Sequence, residues 1–191
     1  MISWIETWRE KATLSPCRTR KNYLDSPWTL LYSGEKWGNV EEMVFQGASQ
    51  LSLDAKGRMA VPARARDPLT LGGTVKLVLT AHPDGCLLLY PAPAWDPIRA
   101  RVMSFPSLDS QFSRWKRLLV GFAQDMDLDS AGRLLVPPEL RDFAHLTRDA
   151  MFVGQGSHYE IWDLELWNQQ LAALRSGGST NLPPGMENFS L

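Results

Sequence analysis

Arg58 follows Asp54 by four residues with Gly57 just before it, and the same arrangement returns at Asp129, Gly132 and Arg133. A carboxylate and a guanidinium at this spacing, either side of a glycine, have two chemical uses. The aspartate can accept backbone N–H bonds and close a tight turn that glycine completes in the left-handed conformation. The arginine then leaves the turn at a fixed place, where it either pairs with its own aspartate or points its planar fork at an external anion or base.

Other chemistry is poorly represented. Gly154-Gln-Gly156-Ser157-His158 has neither Gly-x-Ser-x-Gly order nor the third glycine of a dinucleotide loop. His82, His145 and His158 share no spacing, and Cys17 and Cys86 cannot build a disulfide framework and lack metal-ligand neighbours. No enzyme, catalytic residue, cofactor, metal or small-molecule substrate is expected. Turn capping accounts for the two symmetric carboxylates, Asp54 and Asp129.

The elements that must hold these turns come from a duplication. Asp54/Asp129, Gly57/Gly132, Arg58/Arg133, Val61/Val136, Pro62/Pro137 and Arg66/Arg141 match in one register. Alternating Leu51, Leu53 and then Met59, Val61 predict a hairpin around the first turn, with Pro62 and Pro137 opening short helices. Strands follow near Val75–Thr80 and Cys86–Tyr90 across an Asp84-Gly85 turn. Trp95, Ile98, Val102 and Phe105 recur at helical spacing. A second helix, capped by Ser107 or Asp109, carries Phe112, Trp115, Leu118 and Leu119, and a last one starts at Asp163. The basic cluster Arg114, Lys116 and Arg117 on the second helix reads first as a solvated face.

The fold expected is therefore mainly β with short helices (α+β): a first domain over 48–94, linking helices over 95–122, a second domain over 123–166 and a disordered tail over 176–191. Residues 1–42 have no counterpart in the repeat and are expected to be an extension, either an arm or a translated leader with the true start at Met43 or Val44. Trp37-Gly38 requires TGG followed by GGN, and Ser33-Gly34 permits the same G-rich string roughly 10 bp upstream, about one duplex turn.

The duplicated Asp-x-x-x-Arg unit, with Phe45-Gln-Gly47, Cys86-Leu-Leu-Leu-Tyr-Pro91, Leu118-Leu-Val-Gly121, Val153-Gly-Gln155 and Glu160-Ile-Trp-Asp163, resembles the MraZ family of bacterial transcriptional regulators, built from two AbrB-like domains. The resemblance covers roughly Val44 to Leu174. It implies tandem repeats in a pseudo-twofold split β-barrel, assembled into a homo-oligomeric ring. It also implies binding to double-stranded DNA at G-rich direct repeats upstream of its own gene, in the cluster for cell division and wall synthesis. Docking of a protein partner in the antitoxin manner, or a purely structural ring, are the alternatives.

Charge refines this. Whole-chain balance, 20 basic against 21 acidic residues, gives no hint of nucleic acid. Locally, Leu51–Arg66 holds Lys56, Arg58, Arg64 and Arg66 against Asp54, or plus three, while Met126–Arg141 holds Arg133 and Arg141 against Asp127, Asp129 and Glu139, or minus one. The first copy is thus expected to face DNA, with Arg58 on guanine edges and Lys56, Arg64 and Arg66 on phosphates. Arg133 is expected to brace its own turn with Asp129 and Gly132, as Asp54 and Gly57 shape the first. No apolar run approaches the roughly 18 to 20 residues that cross a bilayer and no signal peptide is evident, so a soluble protein is expected; its two cysteines fit a reduced cytoplasm, and the family resemblance implies association with the nucleoid.

Overall fold

The computed structural model describes residues 44–70, 73, 76–106 and 109–176; the expectations for 1–42 and for the tail beyond Ser176 lie outside them. In chain order the elements are β1 (Ala48–Ser52), β2 (Arg58–Ala60), α1 (Ala63–Thr70), β3 (Leu77–Ala81), β4 (Leu87–Pro91), α2 (Ala92–Ser104), α3 (Ser110–Leu119), β5 (Gln124–Met126), β6 (Arg133–Leu135), α4 (Pro138–Phe143), β7 (Asp149–Gly154), β8 (Tyr159–Asp163) and α5 (Leu164–Ser176). The chain is mixed α and β, and every strand pairing among the described residues is antiparallel.

Both turns form where aspartate and glycine put them. The Gly57 N–H donates to the Asp54 carbonyl at 2.8 Å, and the Gly132 N–H to the Asp129 carbonyl at 2.8 Å. The two glycines sit at φ 79° and 70°, the left-handed region.

The arms of the first turn do not continue as a hairpin, which corrects the sequence expectation. Only Leu53 and Met59 bridge across it. Beyond that point β1 pairs with β7, and β2 pairs with β6 of the other copy. The second copy does likewise, sending β5 to β3. The duplication explains why local pattern misleads here: the alternation that fits β2 to its own neighbour fits it equally to the matching strand of the other copy. Pairing between copies lets both turns share one core.

The larger sheet runs β1-β7-β8-β4-β3-β5. Exchanging β1 for β5, β3 for β7 and β4 for β8 returns this order reversed, so each copy lends its first strand to the other's edge. The domains expected over 48–94 and 123–166 both contribute strands to this one sheet. Central strands β3 and β4 are buried along their whole length, as short continuous apolar runs suggest. One sheet face packs Leu77, Leu79, Leu87, Leu89, Phe152 and Ile161 against Met59 and Leu134 of the β2/β6 ribbon and against Leu69 and Leu140 of α1 and α4. The other face packs Val78, Leu88, Tyr90 and Trp162 against Trp95, Val102 and Leu119 from α2 and α3.

Helix boundaries follow their caps. Asp109 Oδ1 accepts from the N–H groups of Gln111 and Phe112 at 2.7 and 3.3 Å, and Asp163 Oδ1 from those of Glu165 and Leu166 at 2.9 and 3.1 Å. Pro62 and Pro137 stand just ahead of α1 and α4. Among the described residues no helix is long and apolar enough to cross a membrane.

Candidate nucleic-acid interface

The β2/β6 ribbon is the surface that both repeated turns build. Its register sets Arg58 opposite Leu135, Met59 opposite Leu134 and Ala60 opposite Arg133. Side chains alternate between faces along a strand, and burial shows which face is which. Met59 and Leu134 are fully buried, whereas Ala60 and Leu135 are exposed and both arginines half-exposed. The outer face therefore consists of Arg58, Ala60, Arg133 and Leu135. The arginines are diagonal neighbours on it, about 7 to 8 Å apart at the backbone. Bonds from Val61 N–H to the Gly132 carbonyl (3.1 Å) and from Val136 N–H to the Gly57 carbonyl (2.9 Å) close the ribbon at its two ends.

Each arginine is braced from behind by its aspartate. Asp54 Oδ1 accepts from the N–H groups of Lys56 and Arg58 at 2.9 and 3.0 Å, and its Oδ2 accepts from Arg58 Nε at 2.7 Å and Nη2 at 2.6 Å. Asp129 repeats this with Ala131 and Arg133, including Arg133 Nε at 2.7 Å. A guanidinium has five donors. Holding the Nε edge on a carboxylate fixes its plane and leaves the Nη1 end for a second partner. The expectation that Arg133 braces its turn describes the contact, but Arg58 makes the same contact, and the two share one outer face. Bracing does not distinguish the copies.

These bonds hold the Asp54 carboxyl down to about pKa 2, chiefly through the Arg58 side chain, and also lower Asp129, chiefly through the Arg133 N–H. A depressed carboxylate contributes stability above its unfolded value, about 3.9, that disappears as pH falls through the folded one. Stability should therefore drop between about pH 4 and pH 2 as the first turn protonates. Urea midpoints measured across this window should fall more steeply for the wild type than for Asp54→Asn.

Other cations of the first copy are placed differently. Lys56 is exposed at the turn tip. Arg64 reaches back to β1, donating from Nη2 to the Ala48 carbonyl at 3.1 Å and to Ser49 Oγ at 2.6 Å. Arg66 donates from Nε to the Val61 carbonyl at 2.8 Å, and its guanidinium lies against the other copy's turn, where a Cβ on Gly132 would collide with its Cζ. Arg141 mirrors it, 2.7 Å from a Cβ built on Gly57, with a buried Nε that has no hydrogen-bond partner. Each turn glycine thus seats the arginine of the opposite copy, a contact no local motif signals. In the basic cluster of α3, Lys116 Nζ donates to the Met103 carbonyl at 3.3 Å and closes α2 onto α3, while Arg114 and Arg117 are exposed.

Strand pairing also brings together groups that are scattered in sequence. His158 is buried, stacked on Tyr90 with ring centroids 4.7 Å apart, 3.0 Å from Ser157 Oγ and 3.9 Å from Glu160. Glu160 in turn accepts from Trp162 Nε1 at 2.8 Å and Gln155 Nε2 at 3.3 Å. The His158 contact first, then these two bonds, outweigh its burial and leave its carboxyl below the usual range. Burial pushes the Cys86 thiol up and the His82 imidazole down. The cluster bolts the β7–β8 turn to the helix-covered face of the sheet. Among the described residues no three His, Cys, Asp or Glu side chains converge as metal ligands.

The family model described as "MraZ protein, putative antitoxin-like" matches residues 44–117 and 119–183. Similar proteins include the "Transcriptional regulator MraZ" of Methylobacillus flagellatus, 55% identical over 148 residues, and that of Azoarcus sp., 51% identical over 148 residues. A third, from Aromatoleum aromaticum, is also 51% identical over 148 residues. Each match takes in 78% of this chain and 100% of the relative. With its Asp-braced arginine turns and these matches across most of its length, the chain belongs to the MraZ family.

Proposed function

We propose that this protein is a sequence-specific DNA-binding transcriptional regulator that inserts the outer face of the β2/β6 ribbon into the major groove. One observation carries the reading: two arginines, each held by its own aspartate, stand side by side on an exposed two-stranded ribbon. The major groove is wide enough to admit such a ribbon, and arginine paired to guanine O6 and N7 is the commonest specific contact there. Arg58 takes a guanine edge, Lys56 and Arg64 meet flanking phosphates, and Arg66 seats the second turn. The targets are G-rich direct repeats upstream of the protein's own gene, within a division and cell-wall gene cluster. The protein works in the cytoplasm, at the nucleoid.

A ribbon of this size offers few contacts, and a good Arg–guanine pair gives about 1 to 3 kcal/mol of discrimination. Useful affinity then requires several subunits on successive repeats, each raising the effective concentration of the next. We place the pseudo-twofold split barrel of tandem repeats in a homo-oligomeric ring for this reason. Fluorescence anisotropy should show duplexes with three in-phase repeats bound at least about tenfold more tightly than a duplex with one. Equal affinity would contradict the multivalent reading.

A further inference from the structure

Copy exchange maps Arg58 onto Arg133 and leaves the outer face of the ribbon unchanged except where Ala60 meets Leu135, while at the turn tips Ala55 meets Ser130 and Lys56 meets Ala131. A ribbon with only its two arginines would fit a site in either direction. Leu135 breaks that symmetry: it is 51% exposed in a protein whose other ribbon leucine, Leu134, is fully buried. The ladder makes its position definite. Hydrogen bonds join the pairs Gly57–Val136 and Val61–Gly132, so by alternation Arg58 and Leu135 form a non-hydrogen-bonded pair, the kind whose Cα atoms approach to about 4.5 Å. That separation is close to the base-pair step of about 3.4 Å.

Resting on the DNA-binding reading above, we infer that Leu135 contacts the methyl group of a thymine in the base pair next to the guanine held by Arg58, and that this contact fixes the direction in which the ribbon reads its site. Thymine alone presents an apolar group in the major groove. The matching position beside Arg133 carries only the Ala60 methyl, which offers a much smaller apolar contact, so the preference has a polarity. A direct repeat, unlike a palindrome, needs that polarity, because every subunit must approach the duplex the same way round.

The experiment uses the full chain and duplexes of repeated G-tracts flanked on both sides by thymine. At each flanking position in turn, deoxyuridine replaces thymidine and removes only the methyl group. Wild-type affinity should fall at one flank alone, by about fourfold per repeat, the weight of one buried methyl group. Leu135→Ala should lose the same factor on the thymine duplex and show no further loss on deoxyuridine. The double variant Ala60→Leu/Leu135→Ala should move the sensitivity to the other flank. Leu135 is exposed, so these variants fold. A flat deoxyuridine scan, or undiminished discrimination by Leu135→Ala, overturns the inference while leaving the ribbon reading standing if Arg58→Ala still abolishes binding. If Arg58→Ala binds every duplex as the wild type does, the ribbon reading itself fails.

Discussion

Replacing Leu134 by alanine should lower stability by about 2 to 5 kcal/mol, the usual cost of emptying a fully buried leucine site, and the thermal midpoint by roughly 5 to 15 °C. Its neighbour Leu135 should tolerate the same change within about 0.5 kcal/mol. The contrast follows from alternation along β6. Leu134 faces Met59 across the ribbon and packs into the core with Leu77, Leu89 and Phe152, whereas Leu135 stands on the outer face. Leu134, with Met59 opposite it, anchors in the core the ribbon that carries the two arginines. Differential scanning calorimetry of the two variants checks it. Similar midpoints for both would mean that the register of the ribbon is wrong.

Arg58→Ala should abolish specific DNA binding, losing about tenfold to a hundredfold per engaged subunit, with the thermal midpoint nearly unchanged. An arginine–aspartate pair open to solvent adds little to folding. Local charge alone gave Arg133 a bracing role and set the second copy away from DNA. The common outer face changes that expectation: Arg133→Ala should also weaken binding, though less, because the second turn carries Ala131 where the first carries Lys56. Operator affinity and thermal midpoint are measured side by side. A loss of stability with full affinity in Arg133→Ala would return that residue to bracing alone.

What could be read from the chain was whatever is local. Asp54-x-x-Gly57 and Asp129-x-x-Gly132 specify their turns through hydrogen bonds within four residues, and Asp109 and Asp163 cap the helices that follow them. Strand partners are a different matter. A duplicated alternation satisfies pairing within a copy and pairing between copies equally, so the hairpin expected across Leu53 and Met59 became a single bridge with its arms in different sheets. For the same reason Arg66 and Arg141 read as a matched pair without revealing that each lies under the other's turn. Leu135 was missed because an exposed leucine next to a buried one looks like core from sequence. Its two-residue offset from Arg133 was the available signal, since residues two apart on a strand share a face.

The claim that the outer face of the ribbon binds DNA is tested most directly by titrating the protein against its own upstream duplex at several salt concentrations. Each neutralised phosphate contributes about 0.9 to the log–log slope. The wild type should show a steep linear fall, Lys56→Ala a slope shallower by about 1 at every sequence, and Arg58→Ala no preference for the G-rich duplex over a random one. Affinity that is insensitive to salt, or a preference that survives in Arg58→Ala, would contradict the account.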